Sequence, residues 1–209
     1  MHPLTRILHV LALGLWFGSG LFFTFVVGLS LFDTFGKATA NPPDQRPYCL
    51  PAPAELEKPS PDAMFPDPLR KEQGSRIAGM AVGPMFLPYY LLQVACGVVA
   101  LLTALAWLGA GRIHRRRVFV LVLALAGAGV GWWLEGQVEA SRVKRTETSD
   151  ALFTSAAPSP EQKTAALVAR AEFAGIHSWS LSANLLTLCL VTSAMGMAAF
   201  LPPRREEVK

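Results

Sequence analysis

The chain has 209 residues, 52% of them hydrophobic and only 16% charged, with a mean hydropathy of +0.35. Soluble domains carry about 25% charged residues, so this composition excludes an ordinary water-soluble fold. The net charge of +4 is small and the basic residues sit beside apolar runs, which argues against a nucleic-acid partner and for a lipid bilayer.

Four runs reach the length of about 20 apolar residues that a hydrocarbon core requires: Ile7–Phe32, Pro84–Gly109, Val118–Val138 and His177–Leu201. They predict an all-α, integral membrane four-helix bundle forming a single domain over 1–209. The first run contains Gly14 and Gly18 at a GxxxG step, which allows close backbone approach to a neighbour. "ATA" at 38–40 has the look of a signal-peptidase site. The preceding run, however, exceeds the usual signal-peptide length of about 7–15 apolar residues, and the reading is an uncleaved first helix.

Residues 39–75 change character. Nine of the sixteen prolines fall between Pro42 and Pro68, which removes amide donors without supplying apolar mass. A long, disordered, outward-facing loop between the first two helices is expected. The second helix carries a further pair, Gly79 and Gly83. Pro84 is expected in its first turn, where a missing N–H costs nothing, and Pro88 one turn further as a kink. Tyr89 and Tyr90 suit an interfacial aromatic belt.

"RIHRRR" at 112–117 places Arg112, Arg115, Arg116 and Arg117 in a very short connection. By the positive-inside rule this loop is cytoplasmic, and helix parity puts both termini there too, in the plasma (inner) membrane. "SRVKR" at 141–145 is basic on the opposite side and runs against that assignment. The third helix contains Gly127 and Gly131, with Trp132, Trp133 and Glu135 at its outer end. The connection 139–176 is expected outside. Within it "SPEQ" at 159–162 signals a helix start: Ser159 as cap, Pro160 at the first position, Gln162 closing a capping box. A helix from there to Pro202 would be about 63 Å long, its first part, 160–176, an amphipathic extension protruding from the membrane. Leu167, Ala171 and Ala174 would form its apolar face, and Lys163 and Arg170 its polar one.

The fourth span opens on "HSWSLSAN" (177–184). His177, Ser180 and Asn184 are spaced i, i+3, i+7 and share one helix face, extended by Thr187. Polar groups inside a membrane face the bundle interior or a wet cavity. Glu135, about 26 Å along the third helix from its cytoplasmic end, is expected at the depth of His177. A contact between them, with Tyr89 as third member and Asn184 about 10 Å deeper, would form an outward-facing polar pocket. The alternative is that these groups only bond helices together. A haem held by His9 and His177 is disfavoured because they should lie about 25 Å apart. A copper site among Met80, Met85, Cys96, Cys189, Met195 and Met197 is disfavoured because these occupy different depths. No metal or other cofactor is expected. Neither is an enzyme, since no nucleophile–base pair stands out.

Three segments together, "HVLALGLWFGSGLFFTFVVGLSLF" (9–32), "AGMAVGPMFLPYY" (78–90) and "HSWSLSAN", resemble the transmembrane protein 205-like family, whose bacterial members form domain-of-unknown-function family 4149. The family's WxG corresponds to Trp16-Phe17-Gly18. Its G…FPxYY run corresponds to Gly83–Tyr90, with Leu87 inserted between Phe86 and Pro88. Its HxxSxxxN corresponds to His177, Ser180 and Asn184. The proline-rich loop is longer than the family's usual connection. The resemblance implies a four-span membrane protein, and the eukaryotic relatives are associated with platinum-drug resistance and proposed export. The expected role is binding or passage of a small solute or ion, as a homo-oligomer or with a membrane partner. The alternatives are a structural or partner-binding subunit read through 160–176, and a haem- or copper-linked redox module.

Overall fold

The computed structural model describes residues 3–40, 67–155 and 157–200. All their regular elements are helical: α1 (Pro3–Phe22), a π-helical turn (Phe23–Gly28), α2 (Leu29–Ala40), α3 (Asp67–Leu105), a 3₁₀ turn (Leu108–Ala110), α4 (Arg112–Thr154) and α5 (Pro160–Ala198). Four stretches, Pro3–Ala38, Glu72–Leu105, Arg112–Phe153 and Pro160–Ala198, are long and apolar enough to cross a membrane. Large apolar side chains are exposed on all four, among them Leu11, Leu102, Phe119 and Leu186. Such surfaces suit lipid and not water, and the chain reads as a membrane protein.

Several boundaries differ from expectation. The second helix starts at Asp67 and not near Pro84, so Pro84 and Pro88 both lie inside α3. Pro68 takes the first-turn position instead, and helix-interior prolines are tolerated where neighbouring helices re-satisfy the freed backbone groups. Residues 39–40 and 67–75, expected in the loop, are helical, while the remainder of that loop, 41–66, lies outside the described residues, as do Cys49 and the tail from Leu201. The third helix does not stop at Val138 but runs to Thr154. Hydropathy falls after Val138, yet Glu139–Arg142 at i,i+3 and the cross-helix pair Lys144 Nζ–Glu172 Oε2 at 2.6 Å support a continued polar helix. The start signal at 159–162 is realised: Ser159 accepts from the Gln162 amide, and the Gln162 side chain accepts from the Ser159 amide.

The chain divides into two compact units, one of Leu21–Met85 and the other of the residues before and after that segment. In the first, Gly79 is buried and Gly83 half-buried. Lys37 pairs with Asp33 at 2.7 Å and Arg76 with Glu72 at 3.4 Å, each one helical turn apart.

The second unit holds the core. Ala12, Leu13 and Trp16 of α1 pack with Cys96, Ala100 and Ala104 of α3, Leu121 and Ala124 of α4, and Val191 and Ala194 of α5. Half of these are alanines, consistent with membrane helices that associate through close backbone packing. Along α4 the inward residues His114, Arg117, Leu121, Ala124, Ala128, Gly131 and Val138 follow a three–four spacing, and half-buried Glu135 occupies the next place in that seam. On α5 the buried residues are Ala166, Ala169, Ser180, Thr187, Val191 and Ala194. The expected apolar stripe of the extension is therefore wrong: Leu167 faces out and Ala166 and Ala169 face α4.

The glycines separate by the same geometry. A Cβ at Gly127 would sit 2.5 Å from Thr187 Oγ1, and one at Gly131 would sit 3.0 Å from Tyr90 Oη, so both receive a neighbour. Gly14 and Gly18 are exposed, with nothing within 4 Å of an added Cβ. Their spacing is not used for packing within this chain. A further close approach, unremarked in the sequence, is at Gly97, where a Cβ would run into Leu125 Cδ2 and meet the Trp16 ring at 2.7 Å.

Candidate functional site

Within the second unit, polar side chains from α1, α3, α4 and α5 converge between apolar layers. On α3, Tyr89, Gln93, Cys96 and Ala100 recur at i, i+4, i+7 and i+11 and are all buried, so one helix face turns inward. Tyr89 Oη donates to Asn184 Oδ1 of α5 at 2.7 Å. One turn further along α3, Gln93 Oε1 accepts from the indole Nε1 of Trp16 at 3.2 Å. Trp16 and Gln93 are both nearly inaccessible, so each satisfies a group that would otherwise be stranded in apolar surroundings.

Tyr90 turns toward α4 and α5. Its ring lies near-parallel to Trp132, with centroids 6.3 Å apart, and stacks with Phe86 at 6.3 Å. It meets Tyr89 edge-on at 5.2 Å. Its hydroxyl lies above the space left by Gly131, with Ser180 and Glu135 close enough to influence it. Both tyrosines are buried. They pack inside the bundle and do not face outward, and the missing side chain at Gly131 leaves room for the Tyr90 ring.

Thus Tyr89, Ser180 and Asn184, and Glu135 through Tyr90, come together. His177 does not join them. It is exposed, and its ring stacks on Phe173 one turn back, at 5.6 Å and 5° between planes. The guanidinium of Arg145 lies over Phe173 at 4.7 Å. No hydrogen bond, ion pair or electrostatic effect links His177 to Glu135, whose charged neighbours are Glu139 and Arg142. The expected Glu135–His177 contact is absent. The reason is angular: Ser180 and Thr187 occupy the α5 seam, and His177 falls on its flank.

Gln93, Tyr90 and Gly97 were missed as inward-facing residues. A lone amide in "PYYLLQVACGVV" was the available signal for Gln93, since a polar group within a span is seldom lipid-facing. His9 is fully buried, its Nδ1 2.9 Å from Thr103 Oγ1 and 3.1 Å from the Ala100 carbonyl. It packs near the α3 C-terminus, whereas His177 lies beside Phe173. Of the topology arginines, Arg112, Arg115 and Arg116 are exposed, but Arg117 is buried. All four belong to α4, and the connection is 106–111, closed by Gly111 at φ +141°, a conformation that favours glycine.

A cleft of about 540 Å³ lies elsewhere, at the α4–α5 connection, lined by Lys144, Thr148, Pro160, Thr164 and Val168 among others. It includes none of the residues above. No family model, curated protein or solved structure matches this chain.

Proposed function

We propose that the chain is an integral inner-membrane protein of the transmembrane protein 205-like kind, with both termini cytoplasmic. In this reading Tyr89, Tyr90, Ser180 and Asn184, with Glu135 beside them, bind a small polar solute or cation in the outward half of the bundle. The observation that carries it is the Tyr89–Asn184 hydrogen bond between two spans, next to a half-buried carboxyl. Hydroxyl, amide and carboxylate oxygens supply the acceptors that a cation or hydroxylated solute needs, and Glu135 supplies negative charge. An ionisable group within a span is by default a functional candidate.

The test is ligand-dependent stabilisation. A ligand that binds only the folded state raises its stability by mass action. Purified protein screened against small cations and polar solutes should yield a stabilising compound whose effect is lost in Asn184→Ala and Glu135→Gln. Retention of the full effect in both variants would remove the site from this role.

A second reading has one observation of its own. On α5, Leu167 and Val168 are adjacent, apolar and exposed at 67% and 56%, in a stretch beyond the length a bilayer core requires. A partner-binding subunit would use that surface. It predicts that Leu167→Ser abolishes co-purification of a membrane partner while the Asn184 variant does not.

A further inference from the structure

The opposite end of the bundle holds five buried nitrogens without hydrogen-bond partners: Nε, Nη1 and Nη2 of Arg117, Nδ1 of His114 and Nε2 of His9. Arg117 is 0% exposed and His114 is 2% exposed. The guanidinium lies over the Trp107 ring at 5.2 Å, and Trp107 in turn packs against His9 at 5.4 Å. The charge of Arg117 is felt by both imidazoles. A buried cation of this kind is strongly unfavourable unless paired, and a ring face alone does not satisfy five guanidinium N–H donors.

Among the described residues no carboxylate is near. Along α4 the first acidic residue after Arg117 is Glu135, 18 residues on, or about 27 Å. The described acids of α5, Glu161 and Glu172, lie in its first half, against the far part of α4. The start of α4 adds to the imbalance. Its N-cap, Gly111, provides no side-chain acceptor, and its first turn has no acidic residue. Free amides and the positive end of the helix dipole therefore coincide with four arginines, the reverse of the usual preference.

The geometry points to an anion site: a phosphate group is bound by Arg117 and His114 beneath Trp107 at the start of α4. Arg117 and His114 are three residues apart on one face, and helical side chains lean toward the N-terminus. Both therefore reach toward the free first-turn amides. His9 Nδ1 donates to the Ala100 carbonyl, so Nε2 of the neutral ring is an acceptor; His9 supports Trp107 by packing and does not bind the anion. Trp107, carried by the short 106–111 connection, is the cover that must shift to admit it. Exposed Arg112, Arg115 and Arg116 draw anions to this edge. Basic pockets between spans on the positive side suit anionic lipid headgroups. Free phosphate offers the same chemistry.

The experiment uses delipidated full-length protein in detergent, with thermal unfolding and total tryptophan fluorescence read against phosphatidylglycerol, phosphatidylcholine and inorganic phosphate. Stabilisation by phosphatidylglycerol alone identifies a lipid headgroup, and stabilisation by inorganic phosphate as well identifies the free ion. Either supports the site, provided that Arg117→Met lowers apparent affinity about tenfold or more while Arg115→Gln/Arg116→Gln keeps most of it. Arg117→Met should also be no less stable than the parent without ligand, since an unpaired buried charge has gone. If Arg117→Met does not fold, His114→Gln must weaken the same response. Unchanged responses in these variants overturn the proposal. So does a response that appears or strengthens only in Glu206→Gln/Glu207→Gln, which would assign the counter-charge to the chain's own tail.

Discussion

Tyr89 Oη and Asn184 Oδ1 meet at 2.7 Å, joining the second and fourth spans, although 95 residues separate them in sequence. The bond lies one turn along α3 from a second polar pair, Trp16–Gln93, in a core in which half of the buried residues are alanines. Polar pairs of this kind within spans couple by about 0.6 kcal/mol on average and by about 1.7 kcal/mol at most. A double-mutant cycle of Tyr89→Phe and Asn184→Ala, read as unfolding free energy, should give a coupling in that range. Strict additivity would mean that the two groups do not interact.

His177→Ala separates the site from its sequence neighbours. The ring is exposed and stacks only on Phe173 and its surroundings. Its removal should change stability by no more than about 0.5 kcal/mol and should leave the response to any ligand of the Asn184 site intact. A loss of ligand response equal to that of Asn184→Ala would return His177 to the pocket.

Gly97→Ala should be the most damaging small change in the bundle. The added methyl would overlap the Trp16 ring and Leu125. Trp16 cannot retreat without breaking its bond to Gln93. Overpacking of this kind costs about 1–3 kcal/mol. Gly14→Ala and Gly18→Ala, at exposed positions with open space, should be neutral or stabilising by up to about 1 kcal/mol from helix propensity. Melting curves of the three variants test the contrast, and equal effects would contradict it.

Ser159→Ala removes one half of a capping box at the start of α5. The expected loss is about 1 kcal/mol, confined to the first turns. Hydrogen exchange should accelerate at the amides of Gln162 and Lys163, while those beyond Ser180 stay protected. Uniform acceleration along α5 would mean that the cap holds the whole helix and not only its end.

The proposed orientation has a direct readout. Gly109→Cys in the 106–111 connection and Ala157→Cys in the α4–α5 connection are both at exposed positions. A membrane-impermeant thiol reagent applied outside intact cells, on a chain whose native cysteines are replaced, should label position 157 and not 109. The opposite pattern would invert the topology.

The amino-acid sequence by itself determined the number of spans, their approximate centres and the start of α5. Hydropathy over about 20 residues and a capping box are local properties that need no partner. It did not determine which way each helix is turned. Gly14 and Gly18 have the same spacing as Gly127 and Gly131, yet the first pair faces outward and the second receives Tyr90 and Thr187. His177 shares a predicted face with Ser180 but lies on its flank, and Arg117 turns inward from a run whose other arginines are exposed. In water, a polar face and an apolar face would fix the rotation of each helix. In a span both faces are apolar, so rotation is set by which small residues let neighbouring backbones approach, and that is decided only when four helices pack together.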